Sequence, residues 1–314
     1  MIAAFLAFVV TVLFMFALRP LAIAVGLVDV PGGRKRHGVP VPVIGGIAMS
    51  IGLGLGTSLI DHPESWSPIL LGVYLVTVVG TINDRFDLPA NVRLIAQSCA
   101  ALLVVFASGI VVTGLGEFFG HTVSLGALAA PFTILFVLTL VNSFNFIDGI
   151  DGLCGGLALL GLMILAALSF GAPLFPLVTV AACVVAGFLL FNLPLGVNGP
   201  VRSFMGDAGS TALGLVVATM GIYLTQGDVH VIAPAAALWF VAVPVFELFS
   251  TIVRRLLSKR SPFAPDHEHL HHVLADNGLS RRATLILMLG LAVLFAAVGL
   301  LGDLLAVSDS VMLA

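Results

Sequence analysis

The sequence predicts an all-α integral membrane protein of about ten transmembrane helices, organised as a single polytopic domain over residues 1–314. Three observations predict it. First, 60% of the residues are hydrophobic and only 9% are charged, whereas a soluble domain carries roughly 25% charged residues. A chain of this size cannot hide so much apolar surface from water, which excludes soluble enzymes, disordered chains and secreted disulfide scaffolds. Second, apolar stretches near the transmembrane length of about 20 residues recur along the chain. Third, the charges fall on alternate connections between those stretches.

The spans are expected at roughly 1–25, 43–60, 67–83, 92–112, 126–145, 153–170, 173–191, 208–225, 231–253 and 283–303. The first lacks the basic start and small-residue cleavage site of a signal peptide, and Arg19-Pro20 is expected to interrupt its end, so it counts as a mature span. The apolar runs are too long, and alternate too little, for barrel strands. With ten spans, the connections 26–42, 84–91, 146–152, 192–207 and 254–282 share one side. All 13 Lys and Arg lie in them or in adjoining span ends. The opposite side carries only acids: Asp61, Glu64, Glu117, Asp228, Asp303 and Asp309. The positive-inside rule makes the basic side cytoplasmic and places both termini outside. A formal net charge of −3 gives no basic footprint for nucleic acid. Cys99, Cys154 and Cys183 are isolated and read as small hydrophobes.

Catalytic residues are therefore expected in the cytoplasmic loops. The first contains Asp29, Pro31, the cations Arg34, Lys35 and Arg36, His37, and then Gly45-Gly46. Three adjacent cations suit phosphate oxygens, though a plain basic anchor explains them equally well. The second reads Asn83-Asp84-Arg85-Phe86-Asp87, followed by Arg93 and Gln97, and a helical turn would put Asp84 and Asp87 on one face. In the third, Asn142, Asn145, Asp148 and Asp151 recur every third residue, which on a helical turn makes one polar stripe. Buried polar groups need partners, so this stripe points to a ligand, with a solvated helix end as the alternative. In the fourth, Asp207 sits between Gly206 and Gly209 at the start of a span, as either a helix cap or a hard oxygen ligand for Mg²⁺. Phe204 beside it reads as an interfacial anchor or a stacking surface for a base. The fifth loop follows Glu247 and carries Arg254-Arg255, Ser261-Pro262-Phe263, Pro265-Asp266 and His269-Leu270-His271-His272. Adjacent His271 and His272 cannot share a regular helix face, and no Cys accompanies them, so phosphate contact fits better than Zn²⁺. Carboxylates for Mg²⁺, with cations opposite, are the parts needed to bind and activate a pyrophosphate.

Over about residues 29–272 these loops, in this order, resemble the polyprenyl-phosphate N-acetylhexosamine-1-phosphate transferases. Asp29-x-Pro31-x-x-Arg34-Lys35-Arg36-His37, Ser261-Pro262-Phe263-x-Pro265-Asp266 and His269-x-His271-His272 look like the N-acetylglucosamine branch. The resemblance implies a multi-pass enzyme of the bacterial cytoplasmic (inner) membrane. It would transfer N-acetylglucosamine 1-phosphate from UDP-N-acetylglucosamine to undecaprenyl phosphate, releasing UMP and starting cell-envelope polysaccharide synthesis. Mg²⁺ is the implied cofactor, with Mn²⁺ as a substitute, and a homodimer is the implied assembly. Implied catalytic residues are Asp84, Asp87, Asp148, Asp151, Asp207 and His269, with Asp207 and Asp84 at the metal. Implied substrate contacts are Lys35, Arg36, His37, Asn142, Asn145, Asn192, Phe204, Arg255, His271 and His272. The same chemistry on another UDP-N-acetyl sugar or on phospho-muramoyl-pentapeptide is the near alternative. A transporter is the distant one, disfavoured because the ionisable groups cluster on one face rather than at mid-bilayer.

Three positions depart from the family pattern. Two adjacent Asp are usual where this chain has Asn83-Asp84, and the first has been assigned there as the base for the lipid phosphate. An amide cannot accept a proton at neutral pH. Either the phosphate, with a second pKa near 6, needs no base, or Asp84 or Asp87 supplies one, or the chain is impaired. Glu247 stands where Asp is usual, and His267 where Arg is common.

Overall fold

A computed structural model describes residues 1–30, 40–62, 64–194, 203–227, 231–259, 261 and 269–314. The expected sites Lys35, Arg36 and His37, and the departure at His267, lie outside the described residues. The described chain is mostly helical: α1 (Ile2–Val25), α2 (Gly45–Thr57), α3 (Trp66–Phe86), α4 (Ala90–Leu102), α5 (Ala129–Ile147), α6 (Leu153–Leu168), α7 (Phe175–Asn192), α8 (Gly206–Thr225), α9 (Pro234–Leu238), α10 (Ala242–Leu257), α11 (Leu270–Asp276), α12 (Arg281–Leu304) and α13 (Asp309–Met312). A π-helical turn extends α4 to Ala107, and a 3₁₀ turn joins α9 to α10. Among the described residues, eight helical stretches are long and apolar enough to cross a membrane, and α2 and α6 are shorter apolar helices. The chain is therefore a helical integral membrane protein.

Arg19-Pro20 does not interrupt α1, contrary to expectation. The helix continues through Pro20 and ends at Gly26, whose φ of 72° gives the left-handed cap. Arg85 Nε donates to the Val25 carbonyl at 2.9 Å, covering one of the orphan acceptors at that helix end. Two short antiparallel pairs were not anticipated. Strand β1 (Val28–Asp29) pairs with β2 (Val41–Pro42), and β3 (Gly114–Phe118) pairs with β4 (His121–Ser124). Segments this short carry too little alternation to be read from sequence.

Helix α8 is the hub. It packs most extensively on α3 and α5, and also on α2 and α6, while α1 packs on α2 and α7. Small residues permit the approach: a β-carbon at Gly46 would lie 2.3 Å from Gly209 N, and one at Gly80 would lie 2.5 Å from Ala208 Cα. Hydroxyls inside the bundle are satisfied locally or across helices. Thr219 Oγ1 donates to Leu215 O at 2.8 Å, and Ser50 Oγ meets Thr77 Oγ1 at 2.7 Å between α2 and α3.

The end of the bundle away from the carboxylates is laced together. Gln226 Oε1 accepts from Thr113 N and Gly114 N, and Asp309 Oδ2 accepts from Glu117 N at 2.7 Å. Between α5, α6, α8 and α10 runs an apolar cavity of about 340 Å³, lined by residues such as Phe136, Leu140, Leu165, Ile222 and Phe249.

Candidate active site

The polar site forms where the C-terminal ends of α3 and α5 meet the N-terminal ends of α4 and α8. Asp207, in the first turn of α8, is its centre. Its Oδ1 accepts from Asn145 Nδ2 at 2.9 Å. Its Oδ2 accepts from Asn83 Nδ2 at 2.7 Å and from Arg93 Nη1 at 3.1 Å. Asn145 Nδ2 also reaches Ser210 Oγ at 3.1 Å. One turn back on α5, Asn142 Nδ2 donates to Gln97 Oε1 at 2.9 Å, so it braces α4 against α5.

Asp84 joins the cluster from the end of α3. Its Oδ1 accepts from Asp207 N at 2.8 Å and its Oδ2 from Ala208 N at 3.3 Å. It therefore caps α8 from another helix, where a carboxylate offsets both the orphan N–H groups and the positive end of the dipole. Asp87 does not share a face with Asp84. It ends α3 with a φ of 50°, its backbone N–H donates to Asn83 O at 2.9 Å, and it is exposed.

The expected stripe of four breaks in two. Helix α5 ends at Ile147, with Asp148 as its C-terminal cap residue. Only Asn142 and Asn145 lie on the helix. Asp148 and Asp151 belong to the turn leading through Gly152 (φ 82°) into α6. The Asp148 carboxyl is pushed up to about 8 by desolvation, then by the nearby charges of Asp207, Asp84 and Asp151. Asn192, expected at the substrate, is instead a buried brace: its Oδ1 accepts from Gly152 N at 2.7 Å and its Nδ2 donates to Ser203 O at 3.0 Å.

The histidines form a second layer. Buried Glu247 Oε1 accepts from His269 Nδ1 at 3.0 Å and from Leu270 N at 2.9 Å, which fixes the ring just before α11. The rings of His269 and His271 stand parallel, 5.6 Å apart, and His271 and His272 are 4.3 Å apart. Phe146 packs edge-on to His269, and the Arg255 guanidinium lies 5.2 Å over the Phe146 ring. His271 is fully buried, and neither ring nitrogen has a hydrogen-bond partner among the described residues. Desolvation, then the neighbouring His272 and His269, hold it down to about 3, so it is neutral and not a cationic phosphate contact. A β-carbon at Gly149 would meet its Nε2, which ties α11 to the Asp148 turn. Phe204 is half-buried against the core, and its backbone is stitched to Pro42 and Gly45 at 3.0 Å each.

Sequence reasoning missed Arg93, Asn83 and Glu247 as site residues. Arg93 and Glu247 carried the signal of charges in or beside apolar helices. Asn83 stood out only as a departure.

Fold and site together define an integral membrane protein with a carboxylate-centred polar site at one end of an apolar bundle. Residues 66–225 match the glycosyl transferase family 4 profile. The Escherichia coli K12 protein named undecaprenyl-phosphate alpha-N-acetylglucosaminyl 1-phosphate transferase is 33% identical over 300 residues, covering 94% of this chain and 82% of its own. The Yersinia pestis protein of the same name is 33% identical over 313 residues (98% and 86%). A Bacillus subtilis protein, named as a probable undecaprenyl-phosphate N-acetylglucosaminyl 1-phosphate transferase, is 31% identical over 309 residues (94% and 84%). The chain belongs to glycosyl transferase family 4.

Proposed function

We propose that this protein transfers N-acetylglucosamine 1-phosphate from UDP-N-acetylglucosamine to undecaprenyl phosphate and releases UMP. The names of its relatives support this reading. The observation that carries it is the gathering of Asp84, Asp148 and Asp207 with Asn145 and Arg93 at one end of a lipid-immersed bundle. A water-soluble nucleotide sugar and a lipid phosphate meet only at such a boundary. The apolar cavity beside α5, α8 and α10 suits a prenyl chain. By the positive-inside rule this end faces the cytoplasm, in a ten-span arrangement in the bacterial inner membrane with both termini outside.

The donor set fits Mg²⁺. Desolvation and then the neighbouring carboxylates raise Asp148, all the nearby anionic donors are hard carboxylate oxygens, and Mg²⁺ asks for only one or two of them plus substrate phosphates. No three acidic, His or Cys side chains converge into a closed cage among the described residues. Asp207 and Asp148 would hold the ion, while Asp84 holds α8. Bound there, Mg²⁺ supplies charge neutralisation on the diphosphate. Arg93, whose Nε is buried without a partner among the described residues, offers further donors to the same charge. Glu247 sets the tautomer and direction of His269, presenting Nε2 to a substrate.

Purified protein mixed with labelled UDP-N-acetylglucosamine, undecaprenyl phosphate and Mg²⁺ should yield labelled lipid and UMP in equal amounts. A panel of UDP-sugars should place N-acetylglucosamine first, and no turnover with any donor rejects the reading. Glu247→Gln should lower kcat by on the order of 10²-fold, the lower end of what a positioned imidazole contributes, with Glu247→Asp retaining more activity.

A metal-linked pH effect follows from Asp148. Its carboxyl holds a proton up to about 8 in the folded protein, against 3.8 ordinarily. The unfolded chain releases that proton first, so metal-free stability should fall as pH rises from about 4 to about 8. Mg²⁺ relieves the repulsion, and each kcal/mol regained is about 2–4 °C in Tm. Mg²⁺ should therefore raise the melting temperature in detergent several times more at pH 8.5 than at pH 5.5. Equal shifts at both pH values would remove Asp148 from the metal.

A further inference from the structure

Asp207 accepts from three side chains, and they differ in how firmly each is held. Asn83 Nδ2 donates to Oδ2 at 2.7 Å, and the far end of that amide is anchored, its Oδ1 accepting from Leu88 N at 2.8 Å. Asn145 Nδ2 donates to Oδ1 at 2.9 Å and also reaches Ser210 Oγ at 3.1 Å. The third donor is Arg93 Nη1, 3.1 Å from Oδ2. Of the three it alone carries a charge, which offsets Asp207 in a neighbourhood where Asp84, Asp148 and Asp151 are also close. Its side chain is 37% exposed, so the guanidinium can swing outward while its backbone stays in α4. Only one prong of its fork is spent on the carboxylate; Nε is buried and makes no hydrogen bond among the described residues.

We propose that Arg93 is the built-in counter-ion of Asp207, that it yields this place to a divalent ion, and that the freed guanidinium turns to the diphosphate of the donor substrate. The inference rests on the transferase reading and deepens it. Two arguments carry it. A divalent ion bound to Asp207 at the short distance Mg²⁺ demands, about 2.0–2.1 Å, shares Oδ2 with a cation already in contact, and like charges that close repel strongly. One of the donors must then give way. The two amides are neutral and each is tied to a second partner, whereas Arg93 is charged and partly exposed, so it is the one to leave. The second argument is the shape of the group released. A guanidinium offers Nε and an Nη side by side, a fork that matches two oxygens of one phosphate. On Asp207 that fork is half used; on a diphosphate both prongs are engaged. Arg93 thus holds the cluster together when the site is empty and contacts substrate when it is loaded.

Two measurements on the full-length protein in detergent test this. The first reads Mn²⁺ binding by electron paramagnetic resonance, with no substrate present. Arg93→Ala should tighten Mn²⁺ about 5-fold or more, since the competing cation is gone and ligand charge sets affinity. Arg93→Gln, which keeps most of the side chain's length without its charge, should do the same and guards against a packing defect in the alanine variant. Added guanidinium chloride, far below denaturing concentrations, should fill the vacated place in Arg93→Ala and weaken Mn²⁺ again, whereas tetramethylammonium chloride at the same concentration should not. Unchanged or weaker Mn²⁺ binding in both variants overturns the displacement claim. So does an equal response to the two salts, which would reduce Arg93 to a distant field screened by ions. The second measurement is turnover at saturating Mg²⁺. Arg93→Ala should raise KM for UDP-N-acetylglucosamine about 10-fold or more, the opposite sign to its effect on the metal, and a residue that merely props the fold would weaken both. An unchanged donor KM overturns the contact with the diphosphate. If the unaltered protein turns over no donor while Mn²⁺ affinity shifts and answers to guanidinium as expected, the transferase reading and the diphosphate contact fail together and the displacement at Asp207 stands.

Discussion

Asp207→Ala should abolish transfer, with kcat falling by at least about 10³-fold, the scale expected when a principal electrostatic group is removed from a phosphoryl-transfer site. The protein should still fold. Asp84 caps the backbone N–H groups of residues 207 and 208, so the start of α8 keeps its partners whatever side chain stands at 207. The groups left behind are Asn83, Arg93 and Asn145, which are only partly buried and can turn to water. Size-exclusion profile and circular dichroism should match the unaltered protein, while Mn²⁺ binding and turnover are lost. Retained activity would move the reaction centre away from α8.

Gly46→Ala should produce the largest loss of stability. The added methyl would sit 2.3 Å from Gly209 N and 2.6 Å from Ala208 C. Both are backbone atoms of the central helix, so no rotamer change relieves the contact and α2 must separate from α8. Overpacking of that kind costs about 1–3 kcal/mol or more. The separation also displaces the turn that carries Asp207, so activity should fall with stability. Gly221→Ala is the matched control. It lies on α8 with nothing within 4 Å of the new methyl, and it should be neutral or slightly stabilising. Thermal melts in detergent compare the two, and a Gly46→Ala melt equal to that of Gly221→Ala would refute the close approach.

What the sequence revealed follows from what is local in it. Each expected apolar span is helical over most of its length, because length and composition alone decide whether a segment can satisfy its backbone in lipid. Asn145 and Asp207 were legible for a related reason: polar side chains at the ends of apolar helices need partners. Helix ends were harder to place. The regular three-residue spacing from Asn142 to Asp151 reads as one stripe, yet α5 stops at Ile147 and the last two members lie in a turn. Pairings across sequence distance were not legible at all. Asn83 and Asp207 lie 124 positions apart, and Glu247 and His269 lie 22 apart. A lone carboxylate in an apolar span signals that a partner exists without naming it. Asn192 shows the converse, since a polar residue near a site can be consumed entirely by backbone groups.

The burial of α8 has a consequence for how the protein meets different membranes. Nearly nine-tenths of this helix is enclosed by its neighbours, against about a third or less for α1 and α12. A change in bilayer thickness acts on helices that touch lipid, through tilt and hydrophobic mismatch. Here α1 and α12 absorb that strain, while the helix bearing Asp207 is held in register by protein alone. The polar cluster around Asp207 is thereby insulated from variation in the acyl chains around it.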